Sequence, residues 1–122
     1  MQRFLFFLLF ATTGTIVSCT YDKVPPENVE CGSGIITYET GPKAIMNRSC
    51  AYSGCHVTGN SSGDFSTFQG MKTRLDNGKF EKWVIEDRRM PPSDVPQGKP
   101  RFLTEEEILI LKCWALEDFP EN

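Results

Sequence analysis

The sequence predicts an all-α domain of three to five short helices. Three observations carry this. Apolar residues recur at three- to four-residue spacing in several segments, the period of an amphipathic helix. Thr104 and Glu107 stand three apart just ahead of an apolar run, the signature of a capping box. Pro91, Pro92, Pro96 and Pro100 fall in one stretch, RRMPPSDVPQGKPRF, where a helix cannot form.

The first helix is expected from about Pro42 to Cys50, because proline suits a first helical position and Ala44, Ile45 and Met46 supply apolar content. The second is expected from about Ser66 to Asn77, with Phe68, Met71 and Leu75 on one face and Gly78 as a stop. A short third, about Lys79 to Asp87, places Phe80, Trp83 and Val84 together. The fourth starts at the Thr104 cap. It lines up Ile108, Leu111, Lys112 and Ala115, with Leu109, Trp114 and Leu116 widening the apolar arc. Lys112 would bury its stem and expose its head. Ile35, Ile36 and Tyr38 have the composition of a short strand, but nothing obvious pairs with it. Met46 and Met71 sit inside helical apolar stripes and read as core, and Trp114 is expected where the first and last helices cross.

The chain has 122 residues, and its start has the layout of an export signal. Arg3 gives the positive beginning, and Phe4 through Ala11 is unbroken apolar sequence, too short to span a bilayer. The run ends in Ile16-Val17-Ser18-Cys19, which resembles a bacterial lipobox with Cys19 as the lipidated first residue of the mature protein. Residues 1–18 are thus expected to be a lipoprotein signal peptide. Residues 19–30, polar and carrying two prolines, would be a flexible tether, and residues 31–122 the domain. The expected location is outside the cytoplasm, on a bacterial membrane facing the periplasm or the cell surface. Sixteen acidic against thirteen basic residues give a net charge of −3, which lacks the basic footprint of a nucleic-acid binder.

Setting Cys19 aside, Cys31, Cys50, Cys55 and Cys113 remain. An exported chain meets an oxidising compartment. The four either form two disulfides, or one pair does something else.

The motif Cys50-Ala51-Tyr52-Ser53-Gly54-Cys55-His56 gives that pair a role. Two thiols with a histidine directly after the second is the arrangement for attaching haem c, usually spaced C-x-x-C-H. Each thiol adds across a haem vinyl group, and the neighbouring imidazole is placed under the ring as an iron ligand. Here four residues separate the cysteines, so the loop must bulge, which Ser53 and Gly54 permit. His56 is the only histidine in the chain. The competing assignments are a local Cys50–Cys55 disulfide with His56 on the surface, and a zinc site drawing on all four cysteines. Met90, in Met90-Pro91-Pro92, is the candidate sixth ligand, because a thioether suits haem iron and raises its potential. The residue before a proline is confined to extended backbone. Trp83, Arg88 and Arg89 are open between packing or solvation and pairing with haem carboxylates.

CAYSGCH, then RRMPP, then LTEEEILILKCW closely resembles the small single-haem cytochrome c family, in the bacterial lipoprotein form with four residues between the cysteines. The resemblance covers roughly residues 40 to 118. It implies the cytochrome c fold around one covalently bound haem. Cys50 and Cys55 would be the attachment sites, and His56 and Met90 the axial ligands. In this family the two chain ends pack together. The remaining Cys31 and Cys113 would therefore be bonded. The implied function is outer-sphere one-electron transfer to redox partner proteins, with no catalysis of its own. The alternatives are a haem-based oxidase or peroxidase module, and a haem-free, disulfide-stapled lipoprotein that binds a ligand.

Overall fold

The computed structural model describes residues 29–122, so the signal segment, Cys19 and most of the tether lie outside the described residues. Among the described residues the secondary structure is helical and no strand forms. Helix α1 spans Pro42–Ser49. Pro42 occupies its first turn, where the missing N–H would have had no partner anyway. Ile45, Met46 and Ser49 face inward. The helix stops one residue before the expected end, with Cys50 as its cap and the Cys50 N–H bonded to the Met46 carbonyl at 2.8 Å.

Helix α2 spans Phe68–Asp76 and begins later than expected. Thr67 is its cap, and the Thr67 hydroxyl accepts from the Gly70 N–H at 3.1 Å. Gly78 follows at φ 69°, the left-handed turn that ends a helix and favours glycine. The third helical segment, Glu81–Glu86, is π-helical rather than α-helical. Its closing bond runs from the Asp87 N–H five residues back to the Lys82 carbonyl, at 2.9 Å. Helix α3 spans Glu105–Leu116, and both halves of the capping box are present. The Thr104 hydroxyl accepts from the Glu107 N–H at 3.2 Å, and the Glu107 carboxylate accepts from the Thr104 N–H at 2.9 Å.

Helix α3 packs against α1 and against the π-helix. Trp114 is fully buried at the centre and meets Tyr38, Phe68, Phe80 and Phe119 with ring centroids 5.0–6.4 Å apart. Its indole N–H donates to the Pro120 carbonyl at 2.9 Å. The same carbonyl accepts from the Tyr38 N–H at 2.8 Å. This is the contact through which the 35–38 segment meets the C-terminal tail, and no strand forms there. Met46 and Met71 are fully buried, as the helical stripes imply. Cys31 and Cys113 are joined by a disulfide with Cα atoms 5.5 Å apart, tying the start of the described chain to the last helix.

Candidate functional site

Cys50 is delivered to the site by the end of α1, and the loop after it is folded back by its own backbone. The Tyr52 N–H donates to the Cys50 carbonyl at 3.1 Å, and the Cys55 N–H to the Tyr52 carbonyl at 2.9 Å. The His56 N–H then returns to the Cys50 carbonyl at 3.1 Å. Gly54 makes the bulge at φ 88°, a left-handed conformation that costs glycine little. The four intervening residues are thus absorbed in a turn, and Cys50 and His56 stay close despite the long spacing. Both thiols are free rather than joined to each other. The zinc assignment loses half of its sulfur donors to the Cys31–Cys113 bond. Among the described residues no three Cys, His, Asp or Glu side chains gather around a point that could hold a metal ion.

Cys50, Cys55 and His56 line one cavity of about 250 Å³, and Met90, Pro91 and Pro92 line it too. Much of the remaining wall is apolar, from Phe65, Phe80, Trp83 and Val84. Met90 reaches this place through the π-helix. The Trp83 carbonyl accepts from both the Arg89 N–H, at 2.9 Å, and the Met90 N–H, at 3.2 Å. Arg88 makes the reversal at φ 50° and is held by a two-pronged ion pair to Glu105. The four candidate residues, separated by up to 40 positions, therefore share one cavity.

The electrostatics of the site follow from burial. The Cys50 thiol is pushed up to about 12 by burial, then by the neighbouring Cys55 and Glu107, so it stays protonated. Tyr52 is likewise pushed up to about 12, by burial first and by its hydrogen bond to Cys55. Burial holds the His56 imidazole below its usual value, with Arg74 adding to the effect, while the Gly63 and Ser62 backbones pull the other way. Those backbone groups lie beside the ring, but Nδ1 of His56 is buried and makes no well-formed hydrogen bond. Leaving a buried polar atom unpaired costs about 1–3 kcal/mol.

Several residues of the site carry no sequence signal. Phe65 stacks on His56, with ring centroids 3.8 Å apart. Arg74 and Lys79 enter the cavity wall. The Arg74 Nε donates to the Ser62 carbonyl at 3.1 Å. Of the two arginines beside Met90, Arg88 is committed to Glu105, and Arg89 lies over the Trp83 ring at 5.3 Å. Lys79 approaches the same ring at 5.6 Å. The turn holding Phe65 did have a local signature in Asp64-Phe65-Ser66-Thr67. The Asp64 carboxylate accepts from the Thr58 hydroxyl at 2.6 Å, the Ser66 N–H at 3.0 Å and the Ser66 hydroxyl at 2.5 Å.

The donor set of this cavity fits haem c in kind. Two free thiols, one imidazole with an orphaned nitrogen and one thioether face a mostly apolar space. The volume is slightly below the roughly 300–1,000 Å³ of ligand sites in general. Accommodating a macrocycle therefore requires the walls to part, and the walls outside any helix are the 50–65 stretch and the proline-rich loop around Met90. No protein-family model, curated protein or solved structure matches the chain.

Proposed function

We propose that the chain is a single-haem c-type cytochrome, an electron carrier that works one electron at a time. One observation carries the proposal: Cys50, Cys55, His56 and Met90 all line a single, largely apolar cavity. The all-helical secondary structure is compatible with the cytochrome c fold.

In this proposal each of Cys50 and Cys55 adds its S–H across a vinyl group. The sulfur bonds one vinyl carbon and the hydrogen goes to the other, giving two thioethers. His56 and Met90 would hold the haem iron. Haem iron, when bound, supplies reversible one-electron chemistry. The chain's own part is to hold both ligands through the change, to keep water from the iron with Phe65, Phe80, Val84 and the prolines, and to tune the potential by that burial. With His56 and Met90 both holding the iron, no position would be left on it for a substrate, which favours a carrier over an enzyme. Its partners are other redox proteins. Export and anchoring through a lipidated Cys19 belong to the same proposal and rest on the sequence.

The visible absorption spectrum of the full chain, produced in a host that attaches haem c, tests this. A carrier with histidine and methionine ligands gives a low-spin spectrum that sharpens on reduction and does not change under carbon monoxide. A colourless protein would instead indicate the haem-free lipoprotein, and a high-spin spectrum that responds to carbon monoxide would indicate a catalytic or ligand-binding haem.

A further inference from the structure

The imidazole of His56 lies flat against Phe65, with ring centroids 3.8 Å apart and planes 10° from parallel. A histidine that binds a metal is ordinarily oriented by a hydrogen bond from its second ring nitrogen to a carbonyl or carboxylate. Nδ1 of His56 is buried and makes no well-formed hydrogen bond of this kind, although the Ser62 and Gly63 backbones lie beside the ring. We infer that Phe65 is a positioning residue for His56, its stack fixing the plane of the ring together with the Ser62 and Gly63 backbone groups beside the imidazole. The inference rests on the haem proposal for its purpose, and on the stack alone for its geometry.

Phe65 can do this because it is itself fixed from several sides. It is buried, with 5% of its surface exposed. Its N–H donates to the His56 carbonyl at 3.0 Å, so ring and backbone of the two residues are tied together. Its carbonyl accepts from the buried Tyr38 hydroxyl at 3.1 Å. The turn just before it is pressed onto α2 with no room to spare. A Cβ on Gly70 would overlap the Asp64 carbonyl oxygen, and one on Gly63, already at φ 103°, would overlap the Gly70 carbonyl oxygen. Rotating the His56 ring about its Cβ–Cγ bond would drive its edge into a phenyl ring that cannot retreat. The ring plane of an axial imidazole decides how its π electrons meet the iron d orbitals, so Phe65 would set the spectroscopic signature and the potential without touching the iron.

The test uses the full chain in whichever form it is purified. His56 is the sole histidine, so its ring signals are unambiguous. In the colourless chain, the Phe65 ring current should displace the His56 ring protons from their free-histidine positions. Phe65→Leu should return them, and Phe65→Tyr should not. Gly70→Ala, which keeps the phenylalanine but forces its turn away from α2, should move them in the same direction as Phe65→Leu. Tyr38→Phe should move them less, and it takes the place of Gly70→Ala if that variant does not fold. In the haem-carrying chain the readout is the g-value spread of the oxidised iron by electron paramagnetic resonance, with the reduction potential. Both should change in Phe65→Leu and stay unchanged in Phe65→Tyr. A displacement that survives Phe65→Leu, or g values unmoved by it in a coloured protein, would overturn the inference. Loss of colour in the unmodified chain would sink the haem proposal and leave the stack to be decided by the proton signals.

Discussion

Met90 shows how a single residue is brought to a site by its neighbours. Trp83 offers one carbonyl to two successive N–H groups, and the chain turns back through Arg88 at φ 50°. A non-glycine residue in that region costs on the order of 1–3 kcal/mol. The Arg88–Glu105 pair and the two hydrogen bonds at Trp83 hold it there. The prolines that follow were the legible part of this arrangement, since they exclude a helix from sequence alone. Arg88's partner was not legible, because Glu105 lies 17 residues further on. On the haem proposal, Met90→Ala should free the iron position that the thioether would hold. The weak absorption band near the red edge of the visible, characteristic of sulfur–iron ligation, should vanish. The reduction potential should fall, and carbon monoxide should bind quickly. An unchanged spectrum in the variant would mean that another group holds that position.

At the scale of elements, α3 was the most legible and the π-helix the least. The capping box of α3 is a local pattern, and both of its hydrogen bonds form. Thr104→Ala should remove one of them and lower stability by about 1 kcal/mol, read as a reduced denaturation midpoint with the helix otherwise intact. No change at all would mean that the tertiary contacts of α3 already fix its start. The π-helix escaped because Phe80, Trp83 and Val84 give the same apolar face at either pitch. What selects the wider turn is the reversal at Arg88 and the need to return two N–H groups to Trp83, neither of which is a sequence period. π-helical turns are rare and cluster at functional sites, and this one carries Met90 to the cavity. The 35–38 segment has strand-like composition but found no strand partner, as its lack of an obvious pairing segment implied, and the Tyr38 N–H is bonded to the Pro120 carbonyl.

At the scale of the molecule, the ends of the described chain are fastened twice: by the Cys31–Cys113 disulfide and by the Pro120 carbonyl shared between Tyr38 and Trp114. The disulfide spans 82 residues. Closing so long a loop restricts the unfolded chain, and the Cys31→Ser, Cys113→Ser double variant should lose about 2–4 kcal/mol in equilibrium denaturation. An unchanged midpoint would show that the packing around Trp114 suffices alone. The order of the chemical groups along the chain was legible, because each of Cys50, Cys55, His56 and Met90 stands in a short motif. The walls that enclose them were not. Phe65, Arg74 and Phe80 come from separate segments, and only the folding of α2 and the π-helix against α3 and the loops puts them around one cavity.

The central claim is that Cys50 and Cys55 hold a haem by covalent bonds, and a denaturing gel stained for haem peroxidase activity tests it most directly. The unmodified chain should stain at its own band and keep its colour through acid-acetone extraction, while the Cys50→Ser, Cys55→Ser double variant should lose both. A band that never stains, or colour that leaves with the acetone and a colourless protein behind, would contradict the account.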